Sequence, residues 1–422
     1  MERTELAQVL RHRIMDGASL PAEGEGAQTP LQNLGGDWLV CSRDPVQFRS
    51  AFALACSAPS GRVVLCDPGW GHRERAQLAT LLARSRQAAE RGWLCIPTGG
   101  SSGVLKLARH DASTVSAAVQ GFRLHFCLDQ VKALGLLPLY HASGFMAWLR
   151  CELSGGSMVD ADWWEVEAGR LPTDVEGRLL SLVPTQLQRL LREPASADWL
   201  RRFEIVFVGG APAWPSLLDN AQAAGVRVST GYGMTETAAM VCALQPAAFV
   251  DGVRGVGMAL PHARVSLDPE GVILIEASSL FHGYTGSPDV GPVLVTEDLG
   301  QLDSLGHLQV QGRRDAMIIT GGKKVAPAEV EAAILGGGKV DEVAVLGLPD
   351  AEWGQAVCAC VPARISKEAI AAAIEALEPE LAPYKRPKRW IQLTEWPRDE
   401  KGKLNRSLLR MLLRPHGAEG HG

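Results

Sequence analysis

The chain has 422 residues, 46% hydrophobic and 21% charged. At the usual ~150 residues per domain that is enough for two to three cores, and it excludes a disordered or collagen-like chain. Its 42 Lys and Arg against 47 Asp and Glu leave a net charge of −5, so no basic excess points to nucleic acid or an anionic membrane surface. The nine cysteines form no CxxC pair and read as buried thiols of a reducing compartment. Mixed charge at the N-terminus and apolar runs far short of the ~20 residues of a membrane span predict a cytoplasmic protein.

In chain order, Leu6, Val9, Leu10 and Ile14 give a first helical pattern, followed by a loose stretch over 18–36. Residues 62–66 (RVVLC) predict a buried strand, 73–90 a helix with Leu78, Leu81 and Leu82 on one face, and 93–96 a strand ending in a Gly/Ser loop. The alternation continues with a strand over 178–183, a helix over 185–191, a strand over 204–208, a helix over 214–224, and a strand over 226–230 ending at Gly231. Strands alternating with ~10-residue helices predict mostly parallel sheets flanked by helices, which bind ligands at the carboxyl ends of their strands. Past residue 240 the pattern turns β-rich, with a hairpin over 264–276 and a strand over 307–311. A charged break at Arg313, Arg314 and Asp315 precedes a small α+β pattern. There a helix over 328–335 is followed by strands over 342–346 and 356–361, and Ser366 caps a helix whose buried face is Ile370, Ile374, Leu377 and Leu381. The expected domains are 1–312, a hinge at 313–315, a small domain over 316–412, and a frayed tail over 413–422.

The densest chemical signal is TGGSSGVLK at 98–106. Its glycines free backbone N–H groups, its hydroxyls donate, and its lysine adds positive charge, a combination suited to phosphate. It is not a Walker A loop, although residues 99–103 also fit the GxSxG of serine hydrolases. That elbow needs a strand-to-helix turn, whereas residues 104–107 read as a second strand.

This loop resembles the phosphate loop of the adenylate-forming superfamily, which includes acyl-CoA synthetases, luciferases and peptide-synthetase adenylation domains. Thr98, Gly100, Ser101, Ser102, Gly103 and Lys106 match in type; Gly99 and Leu105 depart. Further motifs follow in the superfamily's order. LPLYHASG at 137–144 resembles a segment whose histidine, here His141, lies beside the carboxylate to be activated. SLVPT at 181–185 resembles a turn near the acyl pocket. Gly209, Gly210 and Ala211 match the adenine-side loop. GYGMTE at 231–236 is close to the YGxTE signature, which implies Tyr232 stacking on adenine beside Gly233, Thr235 on the α-phosphate, and Glu236 on Mg2+. TEDLG at 296–300 implies Asp298 on the ribose hydroxyls, with Glu297 in place of a glycine. GRRD at 312–315 implies Arg313 on the ribose and Asp315 as hinge. PRDEKGKLNR at 397–406 resembles the C-terminal motif whose lysine bridges carboxylate and phosphate; that lysine is Lys403 rather than Lys401.

The resemblance implies a two-domain α/β fold: a large N-terminal domain with a β-rich subdomain, and a small mobile C-terminal lid. It also implies an acid–thiol ligase that uses ATP and Mg2+ to form an acyl adenylate, then CoA to take the acyl group. A homo-oligomer is compatible with it. In the superfamily a rotation near the hinge withdraws the lysine and brings the 320–324 loop to the site. The short region before the loop, 97 residues, and the run GYGMTETAAMVC resemble the o-succinylbenzoate–CoA ligases of menaquinone and phylloquinone synthesis. A substrate with two carboxylates needs a second cation, for which Arg189 is the candidate. Alternatives are another short acyl- or aryl-CoA ligase, an enzyme loading a separate carrier protein, a non-catalytic paralogue, and the GxSxG hydrolase.

Overall fold

A computed structural model describes residues 1–15, 29–85, 90–99, 104–398 and 404–413. Among the described residues the strands form four sheets, of six, seven, four and five strands.

In the first sheet Asp37–Val40, Val63–Leu65 and Leu94–Gly99 run parallel. Leu105–His110 returns antiparallel beside Leu94–Gly99 with Thr98 opposite Lys106, and the short strand Gly283–Tyr284 pairs on its far side. In the second sheet Val228–Met234, Ile205–Val208, Leu179–Leu182, Lys132–Gly135 and Ser157–Asp160 are all parallel, and Ala239–Ala243 and Met258–Ala259 add an antiparallel edge. The mostly parallel α/β pattern expected from the sequence is therefore present. The reason is double-sided burial. Val63, Leu65, Leu94 and Ile96 face the helices Ala112–Phe126 and Ala142–Leu153, while Val64, Cys95 and Leu107 face His72–Ser85. Covered on both faces, such strands read as continuous apolar runs. The helix Ala112–Phe126 also serves the second sheet, turning Val115 and Val119 to the first core and Phe122 and Phe126 toward Leu179, Ile205 and Phe207.

The third sheet is antiparallel, from Ala263–Leu267 to Leu308–Arg313. The fourth, over 318–393, has its own core of Ile318, Val345, Val357, Ile370 and Leu377. Ser366 caps the helix Lys367–Glu380 by accepting from the Ala369 amide. Ala332 and Leu335, on the helix Pro327–Gly336, pack against the core beneath the second sheet.

Several expectations change. Ile374 is 45% exposed, because the buried stripe of its helix runs through Ala373 instead. Cys127, the left-handed residue that ends its helix, is exposed, while seven of the nine cysteines are buried. The strand from Val228 does not stop at Gly231 but continues to Met234. The stretch read as loose holds a hairpin, Leu31–Leu34 with Asp37–Val40. Of the helix read over 73–90, His72–Ser85 is helical and Glu90 is not; residues 86–89, like the tail from 414, lie outside the described residues. No helix among the described residues is long and apolar enough to cross a membrane.

A buried bond runs from the first sheet to the turn that follows Met234 of the second. His110 is fully buried, and its Nε2 lies 2.8 Å from the Thr235 carbonyl. A carbonyl only accepts, so Nε2 carries the proton and Nδ1 faces the Thr114 hydroxyl at 3.1 Å. Burial pushes this imidazole down to about 4. Its folded-state value thus lies below the unfolded one, and its contribution to stability is complete above pH 6.5 and lost as pH falls toward 4, at ~1.4 kcal/mol per pH unit. His262 adds a slope of the same sign. His110→Gln keeps a donor and removes one titration, so urea melts between pH 4 and 6.5 should show a slope flatter by about one proton; a slope equal to the wild type would refute the neutral, buried imidazole.

Candidate functional site

The expected phosphate loop joins two antiparallel strands, Leu94–Gly99 and Leu105–His110. Gly100, Ser101, Ser102 and Gly103 lie outside the described residues. The residues that follow, Leu105–His110, form a strand rather than the helix that a nucleophile elbow leads into, so the GxSxG reading fails on geometry. Thr98 and Lys106 face each other across the hairpin, and Lys106 Nζ lies 5.1 Å from the centre of the Tyr284 ring. The Tyr284 hydroxyl donates to Glu236 Oε1 at 2.6 Å.

Thr235 and Glu236 occupy a single 3-10 turn, Thr235–Thr237, between the last two long strands of the second sheet. Its carbonyls are all engaged. His110 Nε2 donates to Thr235 O, the Phe281 amide to Glu236 O at 2.8 Å, and the Ser279 hydroxyl to Thr237 O at 3.0 Å. The turn ends in two non-glycine residues at positive φ, Ala238 at 50° and Ala239 at 79°. Backbone in that region is costly and persists where its surroundings hold it. Gly233 has a packing reason as well, because a Cβ there would come within 1.8 Å of the Ala239 carbonyl oxygen.

A second cluster lies toward the third sheet. The Tyr232 hydroxyl donates to Asp298 Oδ2 at 2.6 Å. Burial and then the Asp298 charge push this phenol well above its usual value, so it remains a donor. Asp298 stands opposite Arg313 in the paired strands Leu294–Leu302 and Leu308–Arg313. Arg313 makes a two-pronged contact with Asp315 at 2.8 and 2.9 Å, and that bond raises the guanidinium's already high value. Gly209, Gly210 and Ala211 follow the strand Ile205–Val208, whose Val208 is level with Thr230 of the neighbouring strand. Gly210 has φ of 78°, which suits glycine.

His141 precedes the helix Ala142–Leu153, with Nε2 3.6 Å from Asp67 Oδ2. Arg189 is held by Glu167 at 2.6 Å. Lys403 lies outside the described residues, but Arg398 and Leu404, which form a β-bridge, bracket its segment. Glu342 anchors the near end, accepting from Trp396 Nε1 at 2.6 Å and from Arg398. Across a narrow crevice from Glu342 and Arg398 are Thr185 and Gln188. Lys323 lies over Tyr384, at 4.4 Å from the ring centre, within the small unit. The structure thus brings Lys106 with Glu236, and Tyr232 with Asp298 and Arg313. Tyr284, His110 and Asp67 were missed by sequence reading. For Tyr284 a signal existed: the chain has four tyrosines, and Tyr232 was already assigned to the site.

Among the described residues no three His, Cys, Asp or Glu side chains converge as a metal cluster. Glu236 is 8% exposed, with Tyr284 on one carboxylate oxygen. A single carboxylate fits Mg2+, which keeps several waters and takes its other ligands from phosphates.

Comparison with known proteins gives the family. Residues 66–285 match the family of AMP-binding enzymes, and residues 329–403 match the AMP-binding enzyme C-terminal domain. A 2-succinylbenzoate–CoA ligase of Geobacillus sp. (strain WCH70) is 30% identical over 345 residues, 76% of this chain and 68% of that one. The o-succinylbenzoate CoA synthetase of Bacillus subtilis, solved with the acyl-adenylate intermediate OSB-AMP, superposes with a TM-score of 0.76 at 23% identity, over 90% of this chain and 88% of that one. The same enzyme solved with ATP and magnesium ion gives 0.73 at 23% identity, over 88% of each chain. At that identity the superpositions establish the adenylate-forming fold. The chain belongs to the AMP-binding enzyme family, the adenylate-forming acid–CoA ligases.

Proposed function

We propose that the chain activates 2-succinylbenzoate as its acyl adenylate, with release of pyrophosphate, and passes the acyl group to CoA. One observation carries the nucleotide part of this reading. A ribose-type acceptor, Asp298 beside Arg313, and a phosphate-type cluster, Lys106 with Glu236, are both anchored to the same strand-and-turn, Val228–Met234 and Thr235–Thr237. The identity of the acid is supported by the ligase relative.

In this reading Tyr232 offers a ring face to adenine, Asp298 accepts from the ribose hydroxyls, and the amides after Val208 flank the base. Bringing a carboxylate to the α-phosphate opposes two anions. Lys106, Lys403 and the hydroxyls of Thr98 and Thr235 offset that repulsion with donors and charge placed before the reaction. Mg2+, held by Glu236, supplies further positive charge on the phosphates. His141, facing Asp67, orients the acid. The carboxylate oxygen bonds to the α-phosphorus as pyrophosphate leaves; the thiol then attacks the acyl carbon and AMP leaves. The proposed division is a nucleotide-holding unit through residue 312, a hinge at 313–315, and a small unit that delivers Lys403.

Three outcomes test this. ATP–pyrophosphate exchange across a panel of carboxylates should be fastest with 2-succinylbenzoate, with product formation dependent on CoA; exchange only with fatty acids would overturn the substrate. Lys403→Ala should slow adenylation by about 10²–10³-fold yet leave thioester formation from supplied acyl-AMP nearly intact; equal losses would refute its role in one half-reaction. Asp298→Asn should raise the KM for ATP about tenfold, the worth of a charge-assisted hydrogen bond, with a smaller effect on the KM for the acid.

A further inference from the structure

Tyr284 touches two charged side chains at once. Its ring lies beneath Lys106 Nζ at 5.1 Å, and its hydroxyl donates to Glu236 Oε1 at 2.6 Å. The residue is well held. It pairs with Ala108 at the edge of the first sheet, and its ring meets Phe281 edge-on at 5.0 Å between centroids. Gly283 before it has φ of 143°, and a Cβ there would come within 2.6 Å of the Pro288 carbonyl oxygen, so the backbone can take few other courses.

A lysine and a glutamate held around one ring attract each other when no ligand intervenes, and once paired both are lost to an incoming anion and its cation. An aromatic ring between them answers each separately: its face takes the ammonium and its hydroxyl takes the carboxylate. We propose that Tyr284 is a positioning residue that keeps Lys106 and Glu236 apart and aimed, Lys106 for the phosphates and Glu236 for the metal that accompanies them. The inference rests on the reading of these residues as the Mg2+–ATP site.

Calorimetric titration of the full chain with ATP, in EDTA and in Mg2+, tests it without any carboxylate. A failure of the 2-succinylbenzoate assignment is thus read separately, in the exchange assay. Tyr284→Phe keeps the ring and loses the hydroxyl. It should bind ATP in EDTA within about twofold of wild type, while the affinity gained on adding Mg2+ falls about tenfold. Tyr284→Leu removes the ring face too, and should lose a further three- to fivefold in EDTA. Glu236→Gln should abolish the same Mg2+ gain, and adding Tyr284→Phe to it should cost no more than about twofold, because the hydroxyl acts through that carboxylate. An undiminished Mg2+ gain in Tyr284→Phe, additivity with Glu236→Gln, or wild-type ATP binding in EDTA by Tyr284→Leu would each overturn the assignment.

Discussion

The architecture turns on three consecutive carbonyls. Thr235, Glu236 and Thr237 form a tight turn that leads into left-handed backbone at Ala238 and Ala239. Each of its carbonyls accepts a bond from outside the second sheet: from His110 on the first sheet, and from Phe281 and Ser279 on the chain that returns to it. Peptide groups buried in this way are stable only when their partners are in place. The two sheets therefore cannot slide or separate here without stranding several polar groups. The strand Leu105–His110 on one sheet and the Glu236 carboxylate on the other are tied to each other as a result.

The parts of this arrangement legible in the sequence are those carried by contiguous residues. The doubly covered strands announced themselves as apolar runs, and the nucleotide signature is six residues long. The hairpin Leu31–Val40 was illegible for a physical reason: three residues of its first strand, Gln32, Asn33 and Leu34, are exposed, so no hydrophobic alternation marks it, and the Gly35–Gly36 turn alone was too little to see. Ile374 misled because spacing identifies a stripe without saying how wide the packed face is; Ala373 takes that place through close approach.

The support of the site was harder still. His110 reaches a partner 125 positions away, and Tyr284 one 48 positions away. No local pattern encodes such pairs; the topology brings them together. Motif residues stand in a recognisable order along the chain, whereas the residues that hold them are chosen by what packs behind.

The buried cysteines take on a new meaning in a chain that makes an acyl adenylate. Cys242 stands directly across the strand pair from Tyr232, and burial pushes it up to about 12. Cys151 is likewise pushed up to about 12 and Cys95 to about 11. Only the thiolate is a competent nucleophile. A thiol near 12 is ionised in about one molecule in a hundred thousand at neutral pH. The burial that built the core thus also leaves these three thiols poor nucleophiles toward any activated acyl group.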